Sequence, residues 1–488
     1  MTEQNDDITR ALDQGASLRG RAIALGVLIA LTVAGGVAAR HLQAPGGAPS
    51  ALVGPLQFNA GSGGPVHFSG QLDRSSVLAG GDGIVKLELV IRGDELPLRE
   101  QPRVPTDLVV VLDRSGSMQG PALEHAKASI RELIAQLSPE DRFALVSYAS
   151  GAGVDVPLAA ATPAAREQWR AVLQRIRADG GTNMAAGLDL GHGALGAREK
   201  GRAARIILLS DGHANQGDHS LAGLTRRAGR AVAGEYVLSA VGVGSGFDET
   251  VMSRMADSGT GNFYYVESTE DLARIFADEF ATARETVAQG LEVQIDPASG
   301  VVVIDAAGYP LDHAGGRVTF RPGSLFAGQE RRIWLTLRTP VAESEGFDLG
   351  EFRLAYRQEG DRRELAFDET PRIACVAGEE EFYSNIDGDR WARSVMVDDY
   401  NVLRRSLAGA VAAGDRGRAM REIVEFEEMK LEQNRHMKRG DVALQLRSLS
   451  VLRAETDEAL AAPEPARKSA AKQMLQEGRD AQRVGAKK

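Results

Sequence analysis

The sequence predicts an α/β chain. A doubly wound, mostly parallel sheet is flanked by a β-sandwich-like domain, followed by a C-terminal helical region and preceded by one N-terminal transmembrane helix. Three observations carry this. Between Thr106 and Thr286, apolar runs such as Leu108–Leu112 and Ile206–Leu209 alternate with helical stretches and show no polar alternation. Parallel strands covered by helices on both faces read this way. Clean alternation appears in Ile333–Leu337 and Glu351–Tyr356, as in strands with one buried face. Finally, residues Ala22 to Ala39 hold 18 residues without a charge, about 27 Å of helix, close to a bilayer's hydrocarbon thickness.

Composition narrows the function. The chain has 488 residues, ample for several cores, and its one cysteine, Cys375, excludes an internal disulfide or a Cys-rich metal site. A formal net charge of −10, with no long Lys/Arg block in the body of the chain, argues against nucleic-acid binding.

Taken in order, residues 1–21 form a cytoplasmic N-terminal tail and 22–39 the transmembrane anchor. Arg10, Arg19 and Arg21 precede the apolar run, and this bias places the bulk of the chain outside the cytoplasm, in a bacterial periplasm or at the cell surface. A cleaved signal peptide is the rival reading, since Val37-Ala38-Ala39 offers a small-residue cleavage site. Residues 40–65, rich in Gly, Pro, Ala and Ser, read as a flexible linker. A β segment at 66–104 pairs with a β-rich domain at 287–378 as a split sandwich, interrupted by the α/β domain at 105–286. Residues 379–460 are helical, and the Lys/Arg-rich tail at 461–488 lacks bulk and reads as mobile.

The strongest chemical signal follows the first apolar strand, in Asp113-Arg114-Ser115-Gly116-Ser117-Met118. A carboxylate and two hydroxyls at alternate positions leave a strand end in a tight loop that can turn them to one point. Gly180-Gly181-Thr182-Asn183 and Ser210-Asp211-Gly212 supply further oxygens. In a doubly wound sheet the strands ending at Asp113 and Asp211 lie side by side at the switch point, about 5 Å apart. Oxygen-only donors suit a hard divalent cation: Mg²⁺, with Mn²⁺ or Ca²⁺ as substitutes. Two carboxylates at most neutralise that ion, which leaves a position for an Asp or Glu of a protein partner. The bland alternative makes Asp113 an ordinary helix cap.

These loops resemble the metal-ion-dependent adhesion site (MIDAS) of von Willebrand factor type A domains, whose fold is Rossmann-like. Further likeness lies in Asn215, in the run GVGSGFDETVMSRMADSGTGNFYYVES and in EDLARIFADEF. The resemblance covers about residues 105–286. It implies that Ser115, Ser117 and Thr182 coordinate a metal, while Asp113 and Asp211 are ligands or hold its waters. Outside that span the chain is similar, more loosely, to bacterial membrane-anchored proteins carrying this domain. Asn215 either braces the loop or belongs to an Asn-Gln-Gly turn.

Other motifs read as structural. Gly191–Gly196 matches G-x-G-x-x-G but falls inside a helical pattern. Asn385–Asp389 is a turn into a helix rather than a calcium loop. Cys375 is a small core residue, and Val424, Phe426, Met429 and Leu431 form a bundle-core stripe. No H-E-x-x-H, G-x-S-x-G or Walker A motif occurs, so the chain is read as a non-enzyme. The expected function is metal-dependent protein recognition, with His213–Ser220 and Ser150–Val154 supplying specificity. The alternative is a non-catalytic subunit working with a separate ATPase in protein remodelling or metal chelation. Direct hydrolysis is a third class, with His213 the one plausible base.

Overall fold

Strands in which every residue is buried set the centre of the molecule: Thr106–Asp113 and Ala203–Ser210 expose nothing on either face. The computed structural model describes residues 56–483 except 62–63, 96–104, 197–201, 235, 245, 267–271, 283–285, 343 and 359–360. The chain opens with β1 (Gln57–Asn59), β2 (Val66–Leu72), β3 (Ser76–Leu78) and β4 (Ile84–Gly93). The α/β domain then runs β5 (Thr106–Asp113), α1 (Pro121–Gln136), β6 (Arg142–Tyr148), β7 (Ala152–Ala160), α2 (Pro163–Arg175), α3 (Met184–Leu195) and β8 (Ala203–Ser210). It continues through α4 (Leu221–Ala228), α5 (Arg230–Ala233), β9 (Val237–Val243), α6 (Glu249–Ser258), β10 (Thr260–Val266) and α7 (Leu272–Thr282).

Its sheet has the order β10-β9-β8-β5-β6-β7, parallel throughout except for β7 at the edge. Strands β5 and β8 are therefore neighbours, as the doubly wound order predicts, with Leu112 opposite Leu209. Alternate residues of β5 feed two cores. Leu108, Val110 and Leu112 pack with α1, α2 and α7, whereas Val109 and Val111 pack with α3, α4 and α6. Burial on both faces is why the strand carries no polar alternation.

The second body is assembled from both sides of this insertion. After the α/β domain come β11 (Thr286–Pro297), β12 (Val302–Ala306), β13 (Asp312–Ala314), β14 (Arg317–Phe326) and β15 (Glu330–Arg338). They are followed by β16 (Ser344–Asp348), β17 (Gly350–Gln358), β18 (Asp361–Ala366) and β19 (Arg372–Val376). Two five-stranded sheets form, β1-β2-β4-β15-β12 and β13-β14-β11-β17-β18, with β16-β19-β3 alongside. β4 and β15 pair from Ile84 opposite Arg338 to Arg92 opposite Glu330. One apolar core joins Phe68, Leu87 and Ile91 to Val293, Leu335, Phe352 and Cys375.

Helices close the chain: α8 (Glu379–Ser384), α9 (Gly388–Arg393), a π-helical turn at Ser394–Asp399, α10 (Tyr400–Ala413), α11 (Arg416–Met437), α12 (Gly440–Ala461) and α13 (Glu464–Gln482). Asp387 caps α9 by accepting from the amides of Asp389 and Arg390, so the Asn385–Asp389 run is a helix entry. Gly414, at φ +72°, ends α10 in a left-handed cap. A buried ionic cluster ties these helices to the sandwich. Lys86 Nζ lies 2.5 Å from Asp398 and 2.8 Å from Asp399, Lys430 lies 2.7 Å from Asp399, and Gln482 Nε2 donates to Asp398 at 2.6 Å.

The structure corrects several expectations. No described helix is long and apolar enough to cross a membrane. The predicted span at 22–39 lies outside the described residues, as do the tail at 1–21 and most of the 40–65 linker, so the described fold contains no transmembrane helix. Gln57–Asn59, inside that linker, is an edge strand paired with β2. Ala152–Ala160 is a strand, missed because Pro157 and small residues blur its alternation. The 461–488 tail is helical through Gln482, with Ala471, Met474, Gly478 and Gln482 buried against its neighbours. Gly478 lets α13 approach α10 closely, since a Cβ there would sit 3.3 Å from the Asn401 carbonyl. On α11 the buried side chains are Ala419, Ile423 and Lys430, while Val424, Met429 and Leu431 are exposed. Of the predicted stripe only Phe426 packs against the bundle core, and the helix otherwise faces it through Ala419, Ile423 and Lys430.

Candidate metal centre

Each part of the site is positioned by a strand end. β5 delivers Asp113 fully buried opposite Ser210 of β8, and the Ser210 hydroxyl donates to Asp113 Oδ2 at 2.6 Å. The other oxygen, Oδ1, accepts from the Ser115 amide at 2.8 Å, which turns the chain sharply into the one-turn helix Gly116–Met118. Ser115 Oγ then lies 3.1 Å from Ser117 Oγ, and the Ser117 hydroxyl donates to Asp211 Oδ1 at 2.6 Å. Four of the predicted residues are thus joined by hydrogen bonds, Asp113 to Ser115 through an amide and Ser115, Ser117 and Asp211 oxygen to oxygen.

Thr182 is brought in by its own loop. The Gly116 amide donates to the Gly180 carbonyl at 3.0 Å and ties the first loop to the second. Asn215 braces the second loop to the third: its Oδ1 accepts from the Thr182 amide at 2.9 Å, and its own amide donates to the Thr182 carbonyl at 3.0 Å. A Cβ built at Gly212 would meet Ser117 Oγ at 3.1 Å and Thr182 Oγ1 at 3.7 Å, so both hydroxyls face one spot beside the Asp211 loop. Gly181 serves the same packing, because a Cβ there would lie 2.9 Å from Asn215 Oδ1, the atom that braces Thr182. Asn183 caps α3 by accepting from the Ala186 amide at 3.1 Å. Helix α3 also contains the Gly191–Gly196 motif almost whole, as its helical pattern predicts.

Electrostatically the site is unbalanced. Burial pushes the Asp113 carboxyl above its ordinary range, against hydrogen bonds from Ser210 and Ser115. Burial also raises Asp211 to about 6, and the negative charge of Asp113 adds to this. No ion pair to Lys, Arg or His is made by either carboxylate among the described residues. The donor set, two carboxylates and three hydroxyls, is that of a hard divalent cation. Among the described residues no group of three or more His, Cys, Asp or Glu forms a softer alternative.

The structure therefore gathers all five predicted residues. It adds Ser210, which clamps Asp113, and Tyr148, whose hydroxyl donates to the Leu209 carbonyl at 3.2 Å behind the site. Ser210 stood within the third loop motif, but its role depends on strand register, which local spacing does not reveal. His213 and His219 are exposed on the rim.

The sequence model of the von Willebrand factor type A domain matches residues 107–278, and this chain carries such a domain there. The chain is similar to the uncharacterised protein YfbK of Escherichia coli (strain K12), at 29% identity over 208 residues, 42% of this chain and 35% of that protein. It is also similar to inter-alpha-trypsin inhibitor heavy chain H4 of Bos taurus, at 27% identity over 162 residues, 31% of this chain and 18% of that one. The chain thus spans about a third or less of the length of these relatives. Among solved structures, a von Willebrand factor type A protein from Catenulispora acidiphila shares the fold with a TM-score of 0.57 at 17% identity, over 78% of this chain and 88% of that one. Domains of this kind typically bind a divalent metal.

Proposed function

From a von Willebrand factor type A domain with these loops, we propose metal-dependent protein recognition. Asp113, Ser115, Ser117, Thr182 and Asp211 hold one divalent cation, and an Asp or Glu of a partner protein is captured there. When bound, the cation supplies a positive centre that attracts an anionic oxygen from outside. The observation that carries this reading is the pair of carboxylates, Asp113 and Asp211, linked by hydroxyls and facing no cation of the chain. The protein's own part is positioning. Ser210 and the Ser115 amide fix Asp113, and Asn215 fixes Thr182.

The donor set, two carboxylates and three hydroxyls, is all hard oxygen and suits Mg²⁺, with Mn²⁺ or Ca²⁺ as substitutes. Exposed residues of His213–Ser220 ring the site and give the partner its specificity.

The test is a pull-down with the immobilised chain, comparing wild type and Asp113→Ala, each with Mg²⁺ and with chelator. A protein retained by wild type in Mg²⁺ alone is the expected result. Equal retention in all four conditions would move recognition away from these loops and overturn the proposal.

A further inference from the structure

At the opposite end of the parallel sheet, a cavity of about 190 Å³ opens between three parts of the molecule. Val237 and Thr260, the first residues of β9 and β10, lie on its wall. Seven residues of β9, at about 3.3 Å each, separate it from the metal loops by roughly 20 Å. The remaining wall comes from the Pro322–Ser324 stretch of β14, from Arg331 of β15 and from the last turns of α13.

Five arginines line this space against two carboxylates, Asp257 and Asp480. Three of the arginines have their charge met. Arg205 pairs with Glu279, Arg483 with Asp257 at 2.7 Å, and Arg321 with Glu292 and Asp312 at 2.7 Å each. Arg331 is buried and donates to the carbonyls of Pro322 and Ser324. The Arg479 side chain is bonded to neither a carboxylate nor a carbonyl, and two of its nitrogens, Nε and Nη1, are buried without a hydrogen-bond partner. Ser324 Oγ, on a residue 2% exposed, is likewise buried and unpartnered.

Water would satisfy those donors but would bring no countercharge, and Asp257 and Glu249 attract Arg479 only from a distance, without bonding to it. An arginine does not shed its proton in a protein, and a buried unpaired charge is strongly unfavourable. Burial and the like charge of Arg483 press the Arg479 guanidinium below the usual arginine range, and the attraction of Asp257 and Glu249 does not restore it. The backbone is strained at the same wall: Thr260, a β-branched residue, holds φ +58°. Its carbonyl closes on Gly323, where a Cβ would lie 2.9 Å away. A water's share of volume is about 30 Å³, so there is room for an anion larger than a halide with some of its hydration. A guanidinium fork takes two oxygens of an oxyanion and leaves others for a hydroxyl.

We propose that this cavity binds a tetrahedral oxyanion of the phosphate or sulfate class, held by the Arg479 guanidinium and the Ser324 hydroxyl. The anion ties α13 to the sandwich and to the α/β domain. It is independent of the metal loops.

The test is thermal denaturation of the full chain in excess chelator, so that the Asp113–Asp211 site takes no part. Inorganic phosphate, sulfate and phenyl phosphate are titrated at constant ionic strength against chloride. Wild type is expected to show a saturable rise in Tm with phosphate or sulfate. Arg479→Gln is expected to lose it, and Ser324→Ala to bind at least ten-fold more weakly. In chloride Arg479→Gln should melt no lower than wild type, because it removes an unpaired charge. Phenyl phosphate binding as well as phosphate assigns the site to esterified phosphate; its failure assigns it to the free ion. No rise, a rise that never saturates, or an equal rise in Arg479→Gln overturns the proposal. Should Arg479→Gln fail to fold, unchanged affinity in Ser324→Ala overturns it.

Discussion

Two pairs of aspartates, each with one fully buried member, sit in this molecule and meet opposite surroundings. Asp398 and Asp399, in the π-helical turn, are surrounded by Lys86, Lys430 and Gln482, so two carboxylates meet two ammonium groups inside the protein. Burial alone would raise both: Lys430 and Lys86 hold Asp399 below the usual carboxylate range, while Asp398, fully buried, stays above it despite Lys86. Asp113 and Asp211 meet only hydroxyls and amides, and both are pushed up. The first pair is complete in itself and joins the sandwich to the helices. The second is incomplete and lies at an open edge of strand ends. Charge balance, rather than burial or carboxylate count, separates a structural cluster from a binding site.

The comparison breaks most visibly at Lys86. Lys86→Met leaves two aspartates with one lysine, and removing one partner of a buried pair costs about 3–5 kcal/mol. Urea unfolding should show this loss, and an unchanged midpoint would mean that the cluster contributes nothing. At the metal loops, Mg²⁺ at 100 times its dissociation constant should stabilise the chain by about 2.7 kcal/mol. Asp211→Asn should lose that gain, while in metal-free buffer at pH 8 it should be more stable than wild type by about 1 kcal/mol. A variant less stable than wild type in both buffers would show that Asp211 is structural.

A smaller test uses Glu249, whose carboxyl burial raises to about 7, with Oε1 buried and unpartnered. Arg479 and Lys472 act on it in the opposite direction but do not restore its ordinary range. Since the folded state holds this proton more tightly than the unfolded chain, stability falls as pH rises from about 4.5 to 7. Glu249→Gln should remove about 1–2 kcal/mol of that slope, discounted for partial exposure. Parallel pH profiles of the two proteins would refute it.

Much of the candidate site was legible because its parts are local. Asp113, Ser115 and Ser117 belong to one loop, and the apolar run before them marks it as a strand end. Hidden from sequence was Ser210's clamp on Asp113, which depends on the β5–β8 register. β7 also escaped, since as an edge strand it carries Pro157 and lacks a fully apolar face. The α13 helix was the largest miss. Apart from Met474 and Leu475 its residues are small or polar, too few large apolar side chains for hydrophobic periodicity to register. What holds it are contacts far away in the chain: Gln482 to Asp398, Arg404 to Glu477, and Arg483 to Asp257 at 2.7 Å.

By itself the sequence determined the α/β succession, the alternating strands of a split sandwich and the oxygen-bearing loops. Each depends on residues a few positions apart, within reach of backbone geometry. Tertiary structure alone decided which charges are balanced. Lys86 and Asp398 stand 312 positions apart, and Arg479 bonds to no carboxylate although Asp480 is its neighbour in the chain. Ion pairing depends on distance in space and on burial, and both exist only after the chain has folded.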